Sequence, residues 1–242
     1  MRRYLFVVPI LLSLAGCGPS GRFQQFEEEY WNKLLKANPS SATGIGVHTY
    51  DGQLEDYSKA AIDARKADLT AMFQTLHYMD GLSSDQAIDA EILRAAIRAE
   101  LLELNDVRSW KSNPMMYVGS PGGAIDSLMK RDFAPKRKRL ESVISRLRAV
   151  PKAIATMKVN VDNPPKEFTD LAIRMASGSI GFYKDTVAGW AKDAAGADTG
   201  LLAEFTAANA GAIAAMTDAA EWLKTDLLPR SRSEEHTSEL QS

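Results

Sequence analysis

The chain has 242 residues, of which 45% are hydrophobic and 25% charged, with a formal net charge of −2. That length and composition suit one or two folded domains with a substantial core and exclude a disordered or collagen-like chain. The near-neutral balance leaves no electrostatic footprint for nucleic acid, and a single cysteine excludes internal disulfides.

At the amino end Arg2 and Arg3 precede a short apolar run, Tyr4 to Leu14, and Leu14-Ala15-Gly16 leads into Cys17. The run is shorter than the ~20 residues that span a bilayer. It resembles a bacterial lipoprotein signal with its lipobox. The resemblance implies that residues 1–16 are removed and that Cys17 takes the lipid that anchors the chain to a membrane. Gly18 after the cysteine implies release to the outer membrane, facing the periplasm. Residues 17–22 read as a short tether.

From Phe23 onward the apolar spacing is helical and no stretch alternates as a half-buried strand would, so the expected fold class is all-α, a multi-helix array. Phe23, Phe26, Tyr30, Leu34 and Leu35 predict a first amphipathic helix that Pro39 ends, followed by a loop from Asn38 to about Tyr57. Ser58 is a predicted N-cap for a helix to Met79. Ser83 or Ser84 caps a third, where Ile88, Ile92, Leu93, Ile97, Leu101 and Leu104 form one wide apolar stripe. The string from Asn113 to Gly123, with two prolines and three glycines, predicts a connecting loop. Pro135 and Pro151 are each placed in the first turn of a short helix. Phe168 to Ala191 and Leu201 to Leu228 predict two long helices joined by a glycine-bearing turn.

Residues suited to chemistry are few. The natural histidines, His48 and His77, show no metal-binding spacing, and His77 reads as a partly buried, hydrogen-bonded ring. His48, Tyr50 and Asp51 lie in a three-glycine loop rich in polar donors, a composition that lines clefts. A substrate contact and a loop held by its own hydrogen bonds both remain open for these three residues. Asp85, Asp89 and Glu91 stand where negative charge complements a helix start. The basic residues Lys130, Arg131 and Lys136 to Arg139 predict a solvated helix face. Ser120 has no nucleophile motif around it. No metal ligand and no catalytic residue is assigned.

The last eleven residues, Arg232 to Ser242, resemble the in-frame translation of a sequencing-library adapter, which implies that the natural sequence in hand stops at Ser231. Residues 23–231 then form an incomplete helical domain and 232–242 an artefact. Within that domain several strings occur in order: Tyr30-Trp31, then Pro39 to Asp51 with Ala42, Thr43, Gly46, His48 and Tyr50. Leu54, Asp56 and Ser58 follow, then Asn113-Pro114 with Tyr117, Asn163-Pro164-Pro165 and Leu227-Leu228-Pro229. Together they resemble the bacterial domain-of-unknown-function 885 family. The resemblance implies the amino-terminal helical part of a larger, envelope-anchored zinc peptidase of carboxypeptidase type, acting on peptides. Its zinc motif would lie after Pro229, so the cofactor belongs to the full-length parent and this segment is expected to be inactive. The competing expectation is a non-catalytic helical lipoprotein that binds or scaffolds in the cell envelope.

Overall fold

The computed structural model describes residues 19–233. The leader, the lipidation residue Cys17 and residues 234–242 lie outside them. Ten α-helices are described: α1 (Pro19–Ala37), α2 (Pro39–Gly44), α3 (Lys59–His77), α4 (Ser84–Leu102), α5 (Ser109–Ser112), α6 (Met115–Lys130), α7 (Lys136–Asn160), α8 (Lys166–Phe182), α9 (Ala188–Ala195) and α10 (Thr199–Trp222). Among the described residues there is no strand, only one isolated parallel bridge between Pro165 and Arg232. The fold is all-α, as the periodicity predicts.

Two hydrophobic clusters form. In the amino-terminal arm, Phe23, Phe26 and Tyr30 of α1 meet Leu69, Met72 and Leu76 of α3 and Leu93 and Ile97 of α4. The main cluster lies where α6 and α10 each pack against both α7 and α8. It holds Ile125 and Leu128 of α6, Leu140, Leu147 and Ile154 of α7, and Phe205 and Met216 of α10. Alanines at 172, 176, 208, 212 and 219 are buried where α8 and α10 pack, and their small side chains let the backbones approach. No helix among the described residues is long and apolar enough to cross a membrane.

Local chemistry sets the boundaries. Ser58 accepts from the Ala61 amide at 3.3 Å as the cap of α3. Ser83 caps α4 through a capping box, its hydroxyl accepting from Gln86 N while the Gln86 side chain accepts from Ser83 N. Asp198 caps α10 by accepting from Leu201 N at 2.9 Å. Both long helices end in π-type turns, at Tyr183–Val187 and Leu223–Leu227.

Five expectations are corrected. The string from Asn113 to Gly123 is no loop: it forms most of α6, with Pro121 buried inside the helix. Among its glycines only Gly119 has a close neighbour, the Met175 methyl of α8 at the far end of a flexible side chain, whereas a Cβ on Gly123 would meet open space. Pro151 does not start a helix. It lies within the single 25-residue α7, on an exposed face where the missing amide hydrogen is tolerated. Residues 19–22, read as tether, belong to α1, and the 38–57 loop contains α2 and a 3-10 turn, His48–Tyr50. Finally, the apolar stripe of α4 is two stripes. Leu93 and Ile97 face α1 and α3, whereas Ile88 and Ile92 are each 61% exposed.

That division of α4 is directly measurable. Ile97→Ala should lower unfolding free energy by about 2–5 kcal/mol, the range for truncating a buried isoleucine. Ile88→Ala should change it by less than about 0.5 kcal/mol. Urea denaturation of both variants gives the comparison, and equal losses would place Ile88 in a core.

Candidate functional site

The segment from Pro39 to Asp51 folds back on itself before joining the bundle. Asn38 Nδ2 donates to Leu34 O at 2.9 Å at the end of α1, and Val47 N donates to Ala42 O at 2.9 Å, closing the turn after α2. Gly46 carries that turn with φ +92, a region L side chains rarely adopt. Gly52 is needed for a different reason: a Cβ there would lie 3.2 Å from Ser145 Oγ of α7, and that hydroxyl donates to Gly52 O at 2.7 Å.

Arg146 of α7 fixes this loop from beneath. It is completely buried, and its guanidinium donates to Gln53 O at 2.9 Å, to Ala124 O, and to Thr43 Oγ1 at 2.7 Å. The Thr43 hydroxyl in turn donates to Asp51 Oδ1 at 2.6 Å. Burial pulls the Arg146 pKa below its ordinary value, and the charges of Asp51 and Glu55 oppose that shift. Asp51, 7% exposed, also meets His48 Nδ1 through Oδ2 at 3.0 Å.

A second buried arginine shapes the upper side. Arg139 stands two turns before Arg146 on α7 and donates to Leu128 O, Met129 O and Arg131 O at 2.8–3.0 Å, satisfying the carbonyl end of α6. It also donates to Ala134 O at 2.9 Å and holds Asp132 at 2.8 Å. The connection it organises presents Phe133, which stacks on the His48 ring at 3.6 Å between centroids and 10° between planes. Arg131 donates to Gly44 O from the same connection. Arg139 therefore departs from the solvated face predicted for the basic run, although Lys136, Arg137 and Lys138 are exposed.

The structure thus brings His48 and Asp51 together. Tyr50 goes elsewhere: it lines an open polar groove of about 410 Å³ with Glu29, Lys33 and Lys36 of α1. With Nδ1 on Asp51 and one ring face on Phe133, His48 keeps Nε2 for a ligand. His77 is exposed, its ring edge-on to Tyr78 at 4.9 Å, so the partly buried ring predicted for it is not found. Among the described residues no group of three His, Cys, Asp or Glu side chains is placed to hold a metal ion.

A second groove, missed in the sequence, opens between α2 and α6. It encloses about 400 Å³ and is lined by Ser40, Ser41, Ser120 and Ser127 with Glu55 and Tyr57. Glu55 accepts from Ser40 N at 3.0 Å and from Ser40 Oγ at 2.8 Å, which orients the first turn of α2. No histidine lines this groove, and its one carboxylate, Glu55, is engaged by Ser40, so the lining offers hydroxyl hydrogen bonding. The signal was concealed because the serines come from two segments eighty residues apart, one of them read as a turn.

Below this groove Tyr57 and Tyr117 meet edge to face at 5.4 Å, and Tyr117 OH donates to Trp110 O at 2.7 Å while accepting from Asn160 Nδ2 at 3.0 Å. Burial pushes the Tyr117 phenol up to about 12 and raises Tyr57 and Tyr183 further.

Two outcomes follow from these contacts. Thr43→Val keeps the shape but removes the hydroxyl between Arg146 and Asp51, and should lower stability by about 1–3 kcal/mol in urea denaturation. For the three tyrosines, the unfolded chain ionises near pH 10 while the folded chain holds its protons. Stability should therefore be full below about pH 10 and fall as pH rises through about 12. A flat stability profile between those values would mean that the phenols are hydrated in solution.

Comparison with known proteins places these features. The family profile described as "Bacterial protein of unknown function (DUF885)" matches residues 39–240, a range that includes the His48 loop, both buried arginines and the serine groove. No curated protein matches the chain. Among solved structures, the chain is similar to a candidate lipoprotein of unknown function from Shewanella oneidensis, with TM-score 0.76 and 25% identity. The match covers 84% of this chain and 37% of that one, so the chain spans little more than a third of the length of this relative. With four-fifths of its residues under the family profile, the chain belongs to the bacterial DUF885 family.

Proposed function

We propose that this chain is the amino-terminal helical part of an envelope-anchored zinc peptidase of carboxypeptidase type, inactive by itself. The observation that carries the reading is the length relation: the fold matches the solved Shewanella protein with a TM-score of 0.76, yet accounts for 37% of that protein's chain. The description of that relative as a candidate lipoprotein supports anchoring through lipid on Cys17 in the cell envelope, and Gly18 after it carries the reading of the outer membrane facing the periplasm.

A catalytic zinc takes three protein ligands and keeps a fourth position open. The described residues do not offer that set, and His48 with Asp51 alone falls short of it. The ligands are assigned to the part of the parent that follows Ser231, and no hydrolytic step is routed through the residues present. Their role is to bind and orient. His48 presents Nε2 from a ring whose other nitrogen and one face are already held, a suitable arrangement for a hydrogen bond to a peptide group. Tyr50 and the serine hydroxyls supply further polar contacts along the adjoining grooves.

Extending the gene from its genomic context past the codon for Ser231 tests this directly. The purified full-length protein should cleave peptides and lose that activity to a zinc chelator, whereas the 242-residue chain should show none. A full-length protein inactive with added zinc would leave the helical binding lipoprotein as the function. In the active parent, His48→Ala should lower kcat/KM about tenfold, the loss of one hydrogen bond's worth of free energy, with the helical fold retained in its circular dichroism spectrum. Unchanged kinetics would remove His48 from the binding surface.

A further inference from the structure

The outer face of α4 carries its own apolar line. Ile88, Ile92, Ala95, Ala99 and Leu102 are spaced 4, 3, 4 and 3 residues apart and all are exposed, the three large ones by 61%, 61% and 55%. None of them joins either hydrophobic cluster, because α4 packs into the amino-terminal arm through Ala90, Leu93 and Ile97 on its opposite side. An alternation of threes and fours is the seam of a two-helix coiled coil, narrower than the stripe with which a helix meets a globular core. Among the described residues no other element covers this seam.

Charge and side-chain size decide which helix fits it. Glu91 and Arg98 are exposed and flank the seam on one side, one heptad apart. Glu91 pairs with Arg94 of its own helix, and the Arg98 guanidinium lies over the Phe73 ring at 5.1 Å. When two copies of α4 are laid antiparallel, one register sets the Glu91 of each copy opposite the Arg98 of the other. In that register Ile88 of each copy faces Ala99 of the other and Ile92 faces Ala95, a large side chain against a small one at every central layer. Leu102 reaches the first turn of the other copy beside Asp85, and on the second flank Asp89 meets Ala96, so no like charges oppose. Displacing one copy by a heptad sets Arg98 against Arg98. A parallel pair stacks isoleucine on isoleucine and alanine on alanine, with Asp85 facing Asp85, which makes the seam uneven and repulsive at its start.

We infer that the outer face of α4 is a self-association surface, on which a second copy of this chain lays its own α4 antiparallel, with reciprocal contacts between Glu91 and Arg98. The seam runs along one helix of 19 residues, about 28 Å at 1.5 Å per residue. A strip of that size buries less than the ~1,200 Å² of a standard interface, so the pairing is weak and reversible. It stands apart from the peptidase reading, since it uses only the described residues of α4.

Disulfide trapping tests both the contact and its direction. Cys17→Ser removes the native thiol from the processed chain, and Ile88→Cys and Ala99→Cys are then made as separate variants. In the antiparallel register these two positions face each other across copies. Each lies eleven residues, about 16 Å along the axis, from its own counterpart, beyond the ~7 Å between Cα atoms that a disulfide spans. Mild oxidation of a mixture of the two variants should give at least about fivefold more covalent dimer than either variant alone. Dimer from one variant as readily as from the mixture would overturn the antiparallel pairing, and no dimer from the mixture would overturn the surface. Adding Arg98→Glu to both variants should lower the yield from the mixture, and adding Glu91→Arg to those should restore it; a yield that neither change moves would overturn the reciprocal contact. The mixture repeated in the full-length parent should trap the same dimer. Trapping lost there would overturn the second copy as occupant and assign the face to the rest of the parent.

Discussion

The arrangement of the whole molecule depends on two guanidinium groups buried along one side of α7. A buried charge is costly unless hydrogen bonds replace its lost water, and a guanidinium with five donors in a rigid fork can collect enough of them. Arg139 collects the carbonyls at the end of α6 and in the connection after it, and Arg146 collects Gln53 O, Ala124 O of α6 and the Thr43 hydroxyl. Arg139 thereby meets its own desolvation and satisfies carbonyls that α6 leaves open, and Arg146 ties the 39–53 segment to α6 and α7. The relation between α6, α7 and the loop is fixed by these bonds more tightly than apolar packing alone would fix it.

The His48 loop is thereby braced although it contains glycines. Its shape is set by contacts from below, through Arg146, Thr43 and Ser145, and from above, through Arg131 and Phe133. Asp51 is committed inward, to Thr43 and His48, so it orients the imidazole and does not meet solvent on its own account. A binding residue held in this way loses little side-chain entropy on meeting a ligand, which is the physical advantage of building a contact on a braced loop.

Helical periodicity made the fold class legible, and side-chain caps at Ser58 and Ser83 made two boundaries legible, because both signals are local. The errors came where tertiary packing overruled local preference. Glycine and proline between 119 and 123 weaken an isolated helix, yet α6 forms there because Tyr117, Val118, Ile125 and Leu128 pack into the main apolar cluster. The two arginines were hidden by composition, since a basic run reads as solvated. Their positions nonetheless carried a signal. Arg139, Leu140, Val143, Arg146, Leu147 and Val150 share the inward face of α7, so both arginines interrupt an otherwise apolar stripe. The site was legible as far as a polar loop around His48. The stacking partner Phe133 and the serine groove were not, because they arise from segments far apart in sequence.

The same bonding pattern limits what the loop can do. His48 Nδ1 and Asp51 Oδ2 face each other, and Asp51 Oδ1 faces the Thr43 hydroxyl, so one ring nitrogen remains for chemistry. A single imidazole nitrogen can bind a peptide group or pass a proton, but hydrolysis of an amide also demands stabilisation of a developing oxyanion and a positioned water. Among the described residues no group of three His, Cys, Asp or Glu side chains is gathered beside the loop to hold a metal ion. What the bonds from α7 hold in place is thus one exposed imidazole, with its Nδ1 and one ring face already engaged.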